Sequence, residues 1–323
     1  MFKTASFFRI GPDFVLPPLE ALEEALQSQR FVPCGATQPA SHGWVPPRGK
    51  KSTLLAESVG GQVILNLCSE KRALPASAVK AGVEEKIDRY KKETGNERVG
   101  AKIKKEFKEE VVLDLLPRAF TKKSNTMVWI DAGNKLLVVG TGSLGGADKV
   151  VTALVEALSA VPGGAPALGF KPVQTKSSAS VSMSQWLSSR EAPFNFTVDR
   201  DCELKTPDEH KSTVRYSRHT LEIEEVPQHI AAGKVPTQLA MTWNDRLSFV
   251  LTETAQVKKI QLLDVVLEGV DKPGKDDDGF DTDAAIITGE LAGLIPDLLE
   301  ALGGEMDDQP AVVAPAETAD APF

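Results

Sequence analysis

The sequence predicts an α+β fold in which two similar hairpin-plus-helix units accompany a projecting helical hairpin. Three observations predict it. A tryptophan-bearing strand, a turn, a second strand and then a helix occur in that order twice, around Trp129 and around Trp243. Each strand pair is closed by a short turn, Ala132-Gly133-Asn134 or Asn244-Asp245, so the strands run as hairpins and not as a doubly wound sheet. Residues 76–116 hold two helical periodicities, broken only at Thr94-Gly95-Asn96.

Taken in order, Thr4 to Ile10 reads as a strand rich in aromatics. Pro17 and Pro18 open a helix whose Leu19, Leu22 and Leu26 form an apolar stripe between Glu20, Glu23 and Glu24. Phe31 to Gly35 leaves that helix, and Ser41 to Lys51 reads as a basic loop carrying Trp44. Gln62 to Leu67 has the pattern of a buried strand. Ala76 to Glu93 is the first helix of the hairpin, with Ser77 as its N-cap. Glu97 to Leu116 is the second, with Ile103, Phe107, Val111 and Leu115 in one stripe. Lys86, Arg89, Lys91, Lys92, Arg98, Lys102, Lys104, Lys105 and Lys108 cover the outer faces. A charged exterior around a modest apolar seam makes this hairpin an arm, not a centre.

A short basic segment follows: Arg118, Lys122 and Lys123, with Phe120 among them. Thr126–Asp131 and Lys135–Val139 form the first β-hairpin, and a helix spans Ala147 to Leu158. Val161 to Ser180 is a looser boundary rich in Gly, Pro and Ser. Met183–Ser189 is a short helix, Asn195–Lys205 and Thr213–Arg218 are strands, and Val226–Ala232 is a short helix ended by Gly233. Gln238–Trp243 and Leu247–Thr252 form the second hairpin, with a third strand at Val257–Leu263. An acidic loop, Asp271–Asp281, leads to a last helix, Asp283–Leu302. The tail beyond Glu305 has the composition of a disordered segment.

Composition bounds the function. At 323 residues the chain calls for two or three compact units or one elongated body. No apolar run reaches the roughly 18 residues of a membrane span, and the N-terminus lacks a signal-peptide pattern. Cys34, Cys68 and Cys202 suit a reducing cytoplasm. The net charge of −8 is unevenly spread. Lys71 to Lys123 holds 15 Lys/Arg against 9 Asp/Glu, whereas Asp264 to Phe323 holds 2 against 16. An internal basic block of this kind fits a polyanion partner, or equally two solvated helices rich in Lys and Glu.

Motifs for chemistry are weak. Gly140-Thr141-Gly142-Ser143-Leu144-Gly145 fits G-x-G-x-x-G between a strand and a helix. The acidic residue expected about 20 positions on is missing, and the preceding strand is the second arm of a hairpin. A nucleotide-dependent enzyme using this turn is the secondary reading. Gly49-Lys50-Lys51 lacks the Ser/Thr of a phosphate loop, and Asp276-Asp277-Asp278-Gly279 has Gly274 where a calcium loop needs Asp. His42, His210, His219 and His229 have no partners at metal or triad spacing. No cofactor and no metal are expected, and an enzyme is not. A protein-interaction module whose basic helices bind an acidic partner is a third reading. Phe120 is either a core anchor or an exposed contact.

Several stretches together resemble one family: FVPCG (31–35), GWVPP (43–47), LLPRAF (115–120), MVWID (127–131), HIAAGKV (229–235) and TGELAGLIPDLLEALGGE (288–305). They look like the recombination-associated RdgC proteins, from Phe7 to Glu305 with order and spacing kept. The resemblance implies a non-enzymatic protein, with horseshoe-shaped subunits closing into a ring-shaped homodimer. It implies a basic hole that takes double-stranded DNA, and also single-stranded DNA, without sequence preference. It further implies restraint of RecA-promoted recombination near replication forks, in the cytoplasm and nucleoid. Residues 1–70 and 124–180 would form a central region, 71–123 a helical tip, 181–305 a base region and 306–323 a disordered acidic tail. Phe120 corresponds to the contact that closes one gate. At the other gate the family's Lys-Gln pair is Arg218-His219 here, which keeps one cation and loses the amide. The expected DNA contacts are Lys86, Arg89, Lys92, Lys102, Lys105, Arg118, Lys122, Lys123 and Arg218; the expected dimer contacts are Phe120, Arg218 and His219.

Overall fold

The computed structural model describes residues 1–161, 169–208, 212–268, 270, 274 and 278–306. In chain order the elements are β1 (Thr4–Ile10), α1 (Leu19–Ser28), β2 (Ala40–Trp44), β3 (Ala56–Val59), β4 (Gln62–Arg72), α2 (Ala76–Thr94), α3 (Ala101–Leu115), β5 (Thr121–Asp131), β6 (Leu136–Val139), α4 (Leu144–Ser159) and β7 (Phe170–Pro172). There follow α5 (Ala179–Ser189), β8 (Phe196–Lys205), β9 (Thr213–Tyr216), α6 (Glu225–Ala231), β10 (Val235–Trp243), β11 (Leu247–Thr252), β12 (Val257–Leu262), α7 (Asp264–Leu267) and α8 (Phe280–Ala301). The fold is α+β, and the strand pairs described below are antiparallel. No described helix is long and apolar enough to cross a membrane.

The chain divides into two compact units. The first comprises Met1–Pro172 and Gln256–Glu290. Its sheet runs β2–β4–β5–β6–β1–β12, with β3 also on β4 and β7 also on β1. One face carries the core. Val63, Leu65 and Leu67 of β4, Val128 and Ile130 of β5, and Leu137 and Val139 of β6 pack there with Leu22 and Leu26 of α1 and Val150, Ala153 and Leu154 of α4. The alternation of these positions along β4 and β5 is what a strand with one buried face requires. Glu23, on the polar side of the predicted α1 stripe, is used structurally: its carboxylate accepts from the Leu55 and Ala56 amides at 2.8–3.0 Å. Arg48 pairs with Glu57, Asp278 and Asp281, with its guanidinium 4.6 Å above the Phe280 ring, and so fastens the start of α8.

The second unit comprises Val173–Ala255 and the chain from Leu291 onward. Its sheet runs β11–β10–β8–β9. Buried Trp243 donates from Nε1 to Asp297 Oδ2 at 2.7 Å, and Asn195 Nδ2 donates to the same oxygen at 3.0 Å. Trp129 in the first unit likewise donates to Gln62 Oε1 at 2.7 Å. Each hairpin thus buries one indole and satisfies its N–H on a neighbouring element. Inside this unit Glu203 pairs with Lys205 and Arg215. Hydrogen bonds from Lys205 and then Arg215 hold its carboxyl down at about 2.

Several boundaries differ from the sequence reading. Ser41–Lys51 is not all loop: β2 pairs residue by residue with Leu67–Lys71 of β4, which buries Trp44. The strand β3 was unmarked by alternation and is fixed by its partner β4 across Gly60-Gly61. The α2–α3 turn is longer than three residues, because α2 closes at left-handed Gly95 and α3 begins only after Gly100. Pro75, not Ser77, precedes α2. β5 starts at Thr121, five residues earlier than the apolar run suggests, because β4 extends to Arg72 and pairs with it throughout. Lys122 and Lys123 therefore lie in a strand. β9 ends at Tyr216, leaving Arg218 and His219 beyond it. α4 and α8 each begin three residues early, at Leu144 and Phe280, and β7 and α7 carried no periodic signal. Most of the acidic loop, the tail from residue 307, and His210 fall outside the described residues.

Candidate nucleic-acid interface

The arm displays charge because it has almost no interior. No side chain of α2 is buried, and in α3 only Val111 is. The helices meet closely at Gly82, where an added Cβ would lie 2.7 Å from Val111 Cγ1. Tyr90 and Phe107 pack edge-on with centroids 5.9 Å apart. Across this seam Lys86 donates to Glu110 at 2.7 Å and stands 3.6 Å from Asp114. The hydrogen bond to Glu110, above all, raises the pKa of the Lys86 ammonium. Arg89 pairs with Glu85 at 3.2 Å and Lys105 with Glu109 at 3.9 Å, both one helical turn apart. Lys92 and Lys102 have no ion pair among the described residues. With Lys80 beside Glu84, four of the arm's ten cations have a carboxylate partner among the described residues, and the other six have none.

The corner between arm and sheet is held from below. Leu116-Pro117-Arg118 forms one tight turn, with Leu116 buried. Arg72 at the end of β4 reaches under it: Nη1 donates to Leu116 O at 2.9 Å and Ala119 O at 3.1 Å. Its Nη2 and Nε donate to Gly35 O at 3.1 and 3.3 Å. One guanidinium therefore ties the segment Phe31–Gly35 to the segment Leu115–Phe120. The Ala73 amide also donates to Phe120 O at 2.8 Å. With its backbone fixed, Phe120 leaves its ring 88% exposed. Arg118 beside it is exposed and has no ion pair among the described residues.

In β4 and β5, Lys71 stands opposite Lys122 and Glu70 opposite Lys123. Adjacent residues point to opposite faces, so the two pairs do not share one. Glu70 is buried; the Cys34 amide donates to it at 2.6 Å, and Lys123 lies 3.9 Å away. The Cys34 hydrogen bond, more than the cation, holds the Glu70 carboxyl below the usual range. Lys123 Nζ also sits 5.0 Å from the Phe31 ring centroid. Lys123 is thus engaged, whereas Lys122 is exposed without an ion pair among the described residues.

In the second unit, Arg218 has a left-handed backbone, φ 53°, and its amide donates to Asp201 Oδ1 at 2.6 Å. The His219 amide donates to Arg200 O at 3.1 Å, and its ring lies 6.1 Å from that of Tyr216. Both side chains are exposed on an anchored turn. Sequence reasoning missed Arg72, because the carbonyls it binds lie 37 to 47 residues away and no local spacing marks them.

The glycine motif serves packing. β6 lies antiparallel between β5 and β1, so the strand before Gly140 is not the start of a βαβ unit. Ser143 caps α4 by accepting from the Gly146 amide at 3.3 Å. A Cβ on Gly142 would come within 2.5 Å of Lys258 Cε. Among the described residues, no group of three or more His, Cys, Asp or Glu is placed to hold a metal ion.

Fold and corner together define a mixed α/β protein with a rigid basic edge and a single aromatic displayed on it. The family model described as "Putative exonuclease, RdgC" matches residues 1–305, and the chain belongs to the RdgC family. It is 40% identical over 305 residues to the recombination-associated protein RdgC of Herminiimonas arsenicoxydans, covering 94% of this chain and 98% of that one. It is 39% identical over 309 residues to that of Dechloromonas aromatica, with 94% and 98% covered, and 36% identical over 305 residues to that of Bordetella pertussis, with the same coverage. The family model's description names an exonuclease, whereas those relatives are described by recombination.

Proposed function

We propose that the chain is a sequence-independent DNA-binding protein. Horseshoe-shaped subunits pair at both ends into a ring-shaped homodimer that encircles double-stranded DNA and also takes single strands. By binding DNA near replication forks, in the cytoplasm and nucleoid, it restrains RecA-promoted recombination. One observation carries this reading: Phe120 projects from a clamped turn between Arg118 and Lys122, two exposed cations with no ion pair among the described residues. A large aromatic held out by a rigid backbone is the form of an interface anchor. Cations without base-reading neighbours suit phosphate, which carries no sequence information. Arg218 and His219 supply the second contact between subunits. The acidic residues elsewhere account for a negative total charge beside a basic hole.

The test is mass measurement by size exclusion with light scattering, with and without circular duplex, followed by a gel shift on random duplex across a salt series. A dimer, retained on circular DNA, with affinity falling steeply as salt rises, supports the proposal. A monomer, or affinity flat in salt, contradicts it. The family model's description favours a second reading, an exonuclease. Release of nucleotides from end-labelled linear duplex with Mg²⁺ or Mn²⁺ would establish that reading and displace the first.

A further inference from the structure

We propose that Lys71, Lys122 and Lys149 form a phosphate-binding site at the rim of the first unit's sheet, which takes a phosphodiester of a nucleic-acid backbone. The site rests on the DNA-binding reading and gives it a location. Three observations converge. Lys71 and Lys122 are direct partners across β4 and β5. They leave the same face as Val63, Leu65 and Leu67, and Val128 and Ile130, so they extend the core face past its covered end into solvent. Lys149 lies on α4 between the core positions Ala147 and Val150, exposed at the edge of that helix.

Lys149 on α4 feels the charge of Lys71. The Lys71 charge, and then burial, lowers its pKa from the ordinary lysine value. Like charges directly across a ladder are destabilising. Elsewhere the chain relieves such crowding with acids: Lys86 has Glu110, Arg89 has Glu85 and Lys123 has Glu70. Here it does not. Glu70 turns to the opposite face toward Cys34, and Asp148 makes no ion pair with any of the three lysines among the described residues. A phosphodiester supplies the missing counter-charge, with oxygens that can accept from more than one ammonium. Contact with phosphate alone reads no sequence.

The experiment is amine labelling of the full chain at pH 8, read residue by residue by mass spectrometry, first with inorganic phosphate and then with random duplex. Lys149 should label faster than Lys102 when free. Phosphate should slow Lys149 and Lys71 at least threefold and leave Lys102 unchanged. Equal protection of all lysines, or of none, overturns the site. The Lys71→Met, Lys149→Met double variant should lower the slope of log affinity against log salt by about 1, because the lysines share one phosphodiester. An unchanged slope in a variant that still binds duplex overturns the site while DNA binding stands. A wild-type chain that binds no duplex overturns the DNA reading, and with it the nucleic-acid assignment of the site. Lys149→Met should also raise Tm, because a lysine with depressed pKa burdens the folded state at neutral pH. A lowered Tm contradicts the uncompensated pair.

Discussion

The helical arm and the strand rim beside it both carry cations and use them differently. On α2 and α3, Lys86, Arg89 and Lys105 each face a carboxylate; the Lys86 pair joins the two helices, which have almost no core, and the other two lie within one helix. On β4 and β5, Lys122 and Lys71 face each other, and Arg118 faces solvent. A charge count over residues 71–123 merges these two regions. The difference teaches that the field offered to a polyanion depends on which cations lack an internal partner, not on how many there are. It adds the rim to the expected DNA contacts, and sets the paired arm cations Lys86, Arg89 and Lys105 behind unpaired ones.

The largest test of this comparison is the staple beneath the corner. Arg72→Ala removes donors to Leu116, Ala119 and Gly35 carbonyls and should destabilise the fold by about 2–4 kcal/mol, measured by urea denaturation. A loss under about 0.5 kcal/mol would mean the corner is held by other contacts. Phe120→Ser comes next. It should change folding stability by no more than about 0.5 kcal/mol, because the ring is exposed, yet weaken dimerisation by about 2 kcal/mol, roughly 30-fold. Unchanged sedimentation of this variant at low concentration would remove Phe120 from the interface.

Smaller effects separate rim from arm. Lys122→Met should lower the salt slope of DNA binding, by at most about 1, whereas Lys105→Met, already paired, should change it much less. Equal effects would erase the distinction. The smallest concerns Glu70. Its carboxyl is depressed by the Cys34 amide, so its stabilising contribution is present above the ordinary carboxylate pKa of about 4.3. That contribution is lost as pH falls through the depressed value. Glu70→Gln should flatten the stability–pH curve in that acid range, and an unaltered curve would show that the hydrogen bond contributes little.

Much of this was legible in the sequence, for identifiable reasons. β1 and β11 were readable to the residue because each has a dense apolar run ended by turn residues. The repeated tryptophan hairpin was readable because Asn244-Asp245 and Ala132–Asn134 are strong turn signals. β2 and the first half of β5 were not, since Ala40–Trp44 and Thr121–Asn125 are polar stretches made into strands only by pairing with β4. At the site, Phe120 was singled out as an aromatic among cations, but its exposure needed the fold. Arg72 and Lys149 were invisible, because their partners are distant in sequence and only packing brings them together.

The central claim is that unpaired rim cations, not paired arm cations, meet DNA. It is tested most directly by salt titrations of random-duplex binding with two triple variants, Lys71, Lys122 and Lys149 to Met against Lys86, Arg89 and Lys105 to Met. The account predicts that the rim variant lowers the slope by about 1 and the arm variant by much less. An arm variant with the larger loss, or a wild-type affinity that does not depend on salt, would contradict it.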